Sequence, residues 1–319
     1  MNTTTLRQSR KSSTLIQTSL YRLIRVLKKN LPLYLFLVPG IIYFTLFKYV
    51  PMSGIVIAFK QFNLIDGIWN SPWVGFGNFI RFFEGVYFWQ IMGNTLVISF
   101  YKLIFAFPAP IILALMLNEV RIAWFKRMIQ TVTYLPHFIS WVIIYGLLIV
   151  FMAPGDGLIN GILKEWDLPA ISFLTEPSMI RTLLVTTDIW QSAGWGAIIY
   201  LAALAGVDPS LYEAAVVDGA SKWRQLWHIT LPGIRTVIML MLILRLSHIL
   251  DVGFDQVFMM SNALNRENSD IIDTWVYRVG LQELQFGIAT AVGMFKSIIG
   301  FALVLGANQL AKRFDGQIW

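Results

Sequence analysis

No cysteine occurs among the 319 residues, so disulfides and thiolate metal sites are excluded, and cysteine usage does not report the redox compartment. Histidine is nearly absent too. His137, His228 and His248 are too scattered to suggest metal-ligand spacing. Charge is the most telling shortage. Asp, Glu, Lys and Arg make up 13% of the chain, about half the share of a soluble domain. Hydrophobic residues make up 56%, and the mean hydropathy is +0.64. That composition cannot supply the polar surface of a water-soluble fold of this length, so the bilayer is the solvent.

Positive charge is the sign in excess, at a formal +7. Its placement decides between nucleic acid and membrane. A bilayer span needs ~20 mostly apolar residues. Six windows qualify, near 31–50, 92–117, 129–152, 180–206, 234–252 and 287–310. With both termini cytoplasmic, inner segments hold fifteen Lys and Arg and outer loops hold five. This is the positive-inside distribution, and it accounts for the basic balance without nucleic acid. Residues 1–30 lack a signal-peptide run. Within them Ile16, Leu20, Leu23, Ile24 and Leu27 share one helical face beside Arg22, Arg25, Lys28 and Lys29, which predicts an amphipathic helix on the cytoplasmic membrane surface. The outer segment 51–91 is rich in aromatic rings and 253–286 is more polar, as suits belts at the interface or a partner outside. The expected fold is all-α, a polytopic bundle of six transmembrane helices over 31–319.

The cytoplasmic segment between spans four and five, 207–233, has its own local chemistry. Asp208 is a good N-cap with Pro209 at the first helical position. A short helix through Glu213 ends where Gly219 takes a left-handed conformation. Ser221 caps a second short helix, Lys222 to His228, and Pro232 is expected to close it. Small Ala214 and Ala215 beside Glu213 let another protein approach closely and offer it one charge.

In this segment Glu213-Ala214-Ala215, three residues, Gly219, nine residues, Ile229, one residue and Leu231-Pro232 resemble the EAA loop of ABC importer permeases at every defined position. The resemblance implies a type I importer permease fold. It also implies that the loop is a coupling helix seated in a cleft of an ATPase subunit. Glu213 would then pair with a basic residue of the ATPase and Gly219 would supply the bend. Ala214, Ala215, Asp218, Trp223, Ile229, Leu231 and Pro232 complete the coupling set. Tyr212 through Ser221, Asn94-Thr95-Leu96 and Leu117-Asn118-Glu119-Val120 are similar to the carbohydrate branch. Asp270 through Gly280 and Ala291 through Lys296 look like permeases for complex oligosaccharides such as pectin or aldouronate fragments. The maltose permease has additional N-terminal spans and a large outer domain that this chain lacks, so that domain's contacts do not transfer.

No G-x-x-x-x-G-K-[ST] phosphate loop occurs. The resemblance therefore places ATP and Mg on two partner ATPases, with no cofactor on this chain. It implies a second, related permease subunit in a heterodimer, an extracytoplasmic sugar-binding protein, and residence in a bacterial cytoplasmic membrane. The pathway would lie between the two permeases, lined by spans four to six. Trp190, Gln191, Trp195, Tyr200, Asp251, Asp255 and Gln256 there have the aromatic, amide and carboxylate chemistry that holds sugars. Lys102, Asp188, Arg245, Asp251 and Lys296 are ionisable residues within spans, costly unless they face a cavity or a partner. Asp188 and Asp251 are candidates to balance Arg245 or Lys296, and Lys102, Arg245 or Lys296 could neutralise an anionic sugar. The alternatives are an importer permease for a non-sugar solute, an ATP-independent secondary transporter and a membrane enzyme. No internal repeat or reactive constellation supports the last two.

Overall fold

The computed structural model describes residues 29–312, with side chains through Gln309. The amphipathic segment expected before Lys29 lies outside the described residues. The described chain is helical, and its only bridge between extended residues pairs Lys60 with Trp73. Among the described residues four helices are long and apolar enough to cross a bilayer, and up to six spans result if each of two bent pairs counts as one. The chain forms two units, Met1–Val56 and Ile57–Trp319.

Helix α1 (Leu31–Phe59) begins in the first unit and ends three residues into the second. Leu, Ile and Phe recur along its length, a composition suited to a bilayer span.

The second unit contains α2 (Phe88–Glu119), α3 (Ala123–Phe138), α4 (Trp141–Met152), α5 (Pro177–Ala205), α6 (Pro209–Val217) and α7 (Lys222–Ser247). It continues with α8 (Phe254–Met260), α9 (Ile272–Tyr277) and α10 (Phe286–Lys312). The window 129–152 is not one straight span. Helices α3 and α4 meet at 105°, because Pro136 sits in a 3₁₀ turn and Ser140 is extended. The last part of the window 234–252 also departs from a helix, since α7 stops at Ser247.

Proline is tolerated inside these helices by a repeated device. Wide π turns span Thr45–Tyr49, Lys102–Ala106 and Leu226–Thr230, and a proline follows each by two residues: Pro51, Pro108 and Pro232. A proline ring clashes with the carbonyl four residues back and offers no N–H, and the wider turn relieves both. Pro232 therefore does not close a helix, contrary to the sequence expectation. Helix α7 runs through it.

Two apolar clusters set the depth of the long helix α5. Toward the N-terminal end of α5, Leu183 and Leu184 pack with Ile98 of α2, Val257 and Met260 of α8, and Ile271. Toward its C-terminal end, Ala197, Tyr200 and Leu204 pack with Ile111 and Ala114 of α2 and Ile234 of α7. The segment 253–286 is not a free outer loop. Gln256, Asn265, Ser269, Asp270 and Ile272 are buried in it, and Asn94 of α2 donates to the carbonyls of Glu267 and Asp270 at 2.8 and 3.0 Å. Part of the aromatic segment is core as well: Phe82 lies against Phe88, Trp275 and Phe295.

Small residues fix the helix crossings. A Cβ on Gly194 of α5 would lie 2.0 Å from the Thr133 carbonyl oxygen of α3, and one on Gly196 would lie 3.0 Å from the Pro110 ring of α2. The first contact is with backbone and cannot yield by a side-chain rotation. Gly194→Val is expected to cost about 1–3 kcal/mol through overpacking, read as a lower Tm of the detergent-purified protein. An unchanged Tm would show that α3 and α5 do not meet there.

Candidate functional site: an exposed knob and a membrane-embedded charge network

Helix α6 leaves α5 at 70°. Asp208 caps it, accepting from the Ser210 amide at 2.9 Å. That N–H holds the Asp208 carboxyl below the usual carboxylate range. The cap is therefore present above the unfolded-state pKa and is lost as pH falls through the folded-state value. Gly219 adopts φ +72°, a left-handed conformation open to glycine, and reverses the chain. Ser221 then caps α7, accepting from the Arg224 amide at 3.5 Å.

The resulting knob is tied at its base and open at its tip. Tyr212 hydroxyl and Thr230 Oγ1 are 3.0 Å apart, and the Gln225 amide donates to the Ala220 carbonyl at 3.1 Å. A Cβ on Gly233 would lie 2.8 Å from Val207, so the chain entering the knob and the chain leaving it nearly touch. Lys222 pairs with Glu119 at the end of α2 at 3.1 Å. Glu213, Ala214, Val216, Val217, Asp218, Gly219, Trp223 and Pro232 are exposed, while Ala215, Ile229 and Leu231 are half-buried. Val217 and Trp223 stand out, at 87% and 71% exposure. Large apolar groups thus stand exposed around the acidic Glu213.

Deep in the membrane region lies a second constellation. Lys102, 1% exposed, donates to Asp188 Oδ1 at 3.1 Å, to the Val252 carbonyl at 2.8 Å and to Gln256 Oε1 at 2.6 Å. The Gln256 amide donates to the Leu184 carbonyl and to Thr187 Oγ1. Nearby, Gly253 at φ +100° turns the chain from the end of α7 into α8. Lys296 of α10 pairs with both Asp251 and Asp273, and His248 Nδ1 lies 3.1 Å from Asp251.

Residues 106–315 match the family described as binding-protein-dependent transport system inner membrane component. The chain belongs to this family. It is a permease subunit of an ABC importer, a multi-pass cell-membrane component whose part is transport and not catalysis. It is 51% identical to the polygalacturonan/rhamnogalacturonan transport system permease protein YteP of Bacillus subtilis over 88% of each chain. It is 49% identical to Protein LplB of the same organism over 91% of each chain. The crystal structure of a bacterial ABC transporter that imports the acidic polysaccharide alginate contains a chain 41% identical. The match covers 92% of this permease and 99% of that chain, with a TM-score of 0.86.

The permease scatters the residues expected to hold a sugar. Trp190 and Trp195 are exposed on α5 and Gln191 is half-exposed. His137 stacks on one face of Trp195 at 4.8 Å, so that face is already covered. Asp251 and Asp255 are exposed, the former held by Lys296 and His248. Tyr200 is buried in the cluster around Ile111 and Ile234, and it also lines a cavity beside Asp188. Gln256 is a correction. Its amide is buried and spent on Lys102, Leu184 and Thr187, leaving no group for a ligand. Asp188 balances Lys102 and not Arg245 or Lys296. The Tyr212–Thr230 contact, the Gln225 brace and the Glu119 pair escaped sequence reasoning. No spacing rule links residues that meet only after the knob folds back.

Removing one member of a buried ion pair strands the other. Lys102→Met is expected to destabilise the permease by about 3–5 kcal/mol, and Lys102→Met with Asp188→Leu to recover part of that loss. Thermal unfolding in detergent reads both, and a double variant no better than the single would refute the pairing.

Proposed function

We propose that the knob Asp208–Pro232 is the site where a separate ATPase drives this permease, and that the cargo is an oligosaccharide. The observation that carries the first part is the knob itself. Its tip offers Glu213, Ala214, Val217 and Trp223 to a partner, while its base is braced to α2 and joined to α5 and α7. Glu213 pairs with a basic residue of the ATPase, Ala214 and Ala215 permit close approach, and Gly219 supplies the bend. Asp218 lies at the bend, while Ile229, Leu231 and Pro232 carry the motion along α7. The charge distribution of the loops sets both termini and the knob on the cytoplasmic side.

The working assembly contains a second, related permease as a heterodimer, two ATPases carrying ATP and Mg, and an extracytoplasmic sugar-binding protein. The loaded binding protein docks outside, the ATPases close on ATP, and the knobs swing the helices so that the pathway opens outward. Hydrolysis returns it inward. The motion is an alternation between two states whose balance the nucleotide sets.

The cargo reading rests on the kinship with permeases named for polygalacturonan and rhamnogalacturonan and with an importer of alginate. A fragment of a plant polysaccharide, such as a pectin or aldouronate oligomer, is the cargo proposed. Trp190, Trp195, Gln191, Asp251 and Asp255, though scattered, offer ring faces and polar groups to such a sugar.

Glu213→Lys tests the coupling. ATP-dependent uptake in vesicles of the reconstituted importer is expected to fall at least about tenfold, the loss of a charge-paired contact worth ~1.4 kcal/mol or more. The permease itself is expected to insert and accumulate normally. Unchanged uptake by an intact assembly would remove Glu213 from the coupling role.

A further inference from the structure

A census of the cations embedded in the membrane region separates one from the rest. Lys102 is held by Asp188 and Lys296 by Asp251 and Asp273. Among the described residues no carboxylate pairs with Arg245, which is half-buried in the last turn of the α-helix Leu231–Ser247. An unpaired guanidinium at that depth is costly unless it serves a ligand or a cavity. The carbonyl end of a helix favours a cation but does not satisfy five N–H donors.

Arg245 faces a cavity of about 270 Å³ between α2, α5 and α7, lined also by Phe107, Asp188, Ser192 and Tyr200. The depth is suitable for an alternating-access site. Arg245 is about 21 Å along its helix from the cytoplasmic Leu231, and Asp188 is about 17 Å from the outer end of α5. Lys102 already neutralises Asp188, so these three groups leave one net positive charge. The hydroxyls of Ser192 and Tyr200 and the ring of Phe107 add the polar and apolar surfaces of a sugar site.

We infer that Arg245 is the residue through which this permease recognises a carboxylate of an acidic oligosaccharide, a uronate ring held in the cavity beside Asp188. The inference rests on the oligosaccharide reading above and assigns its anionic group to a single side chain. A guanidinium grips a carboxylate through two parallel N–H bonds, an interaction that a neutral sugar cannot reproduce. Lys102 is excluded from this role because its three donors are already taken by Asp188, Val252 and Gln256.

The test uses the complete importer in proteoliposomes, with binding protein outside and ATP inside, and compares trigalacturonate with its fully methyl-esterified counterpart. With Arg245→Gln, trigalacturonate uptake is expected to fall about tenfold, while ATPase activity stimulated by the loaded binding protein and any methyl-ester uptake stay near wild type. Arg245→Lys is expected to retain an intermediate rate for the charged sugar, because it restores the charge without the fork. Wild-type uptake of trigalacturonate by Arg245→Gln would overturn the inference, as would a loss of stimulated ATPase activity in both variants. A wild-type importer that carries the ester but not the acid would overturn it while leaving the oligosaccharide reading intact. One that carries neither would overturn both.

Discussion

Lys102 sits where three obligations meet. An ammonium in the membrane region must be paired, a chain that breaks its helix there must satisfy the exposed carbonyls, and the helices on either side must stay at one depth. Its three donors meet them together, on Asp188 of α5, on the Val252 carbonyl where the chain leaves α7, and on Gln256 of α8. The π turn that contains Lys102 exists because Pro108 follows, so the same local widening that admits a proline also turns the cation inward. With Asp188 spent on Lys102, Arg245 has no carboxylate partner among the described residues.

The helices joined at Lys102 also carry the knob. From Lys102, α2 continues to Glu119, about 26 Å away, where it pairs with Lys222. From Asp188, α5 continues to the bend before α6, and Val207 there lies against Gly233 of α7. Force applied at Glu213 or Trp223 in the proposed cycle thus enters helices that pack together around Ala114, Leu204 and Ile234. Close-packed interfaces move as units between discrete arrangements, which is how a small displacement at a loop reaches the middle of a membrane.

Composition and loop charge made the fold class legible, because a bilayer imposes strong demands on both. The knob was legible for a local reason. Its N-caps Asp208 and Ser221 and its left-handed Gly219 act over three or four residues, within reach of sequence reasoning. Pro232 was misread. A proline ends a helix unless the preceding turn widens, and residues 226–230 do not announce a π turn. The segment 253–286 was misread for another reason. Its polar residues look like a solvated loop, but Asn265, Asp270 and Gln256 are buried with partners far away in the chain. The assignment of cations to carboxylates is likewise tertiary, since Lys102 and Asp188 are 86 residues apart. No periodicity predicts which of three membrane cations meets no carboxylate among the described residues.

The absence of cysteine makes the most direct test of the central claim simple, since Val217→Cys introduces a single thiol at the exposed tip of the knob. Its rate of reaction with a membrane-impermeant maleimide is measured from the cytoplasmic side, for the permease pair alone and for the assembled importer with its ATPases. Coupling through the knob predicts ready labelling of the permease pair and strong protection once the ATPases bind. Equal rates in the two preparations, or labelling from the outer side only, would contradict it.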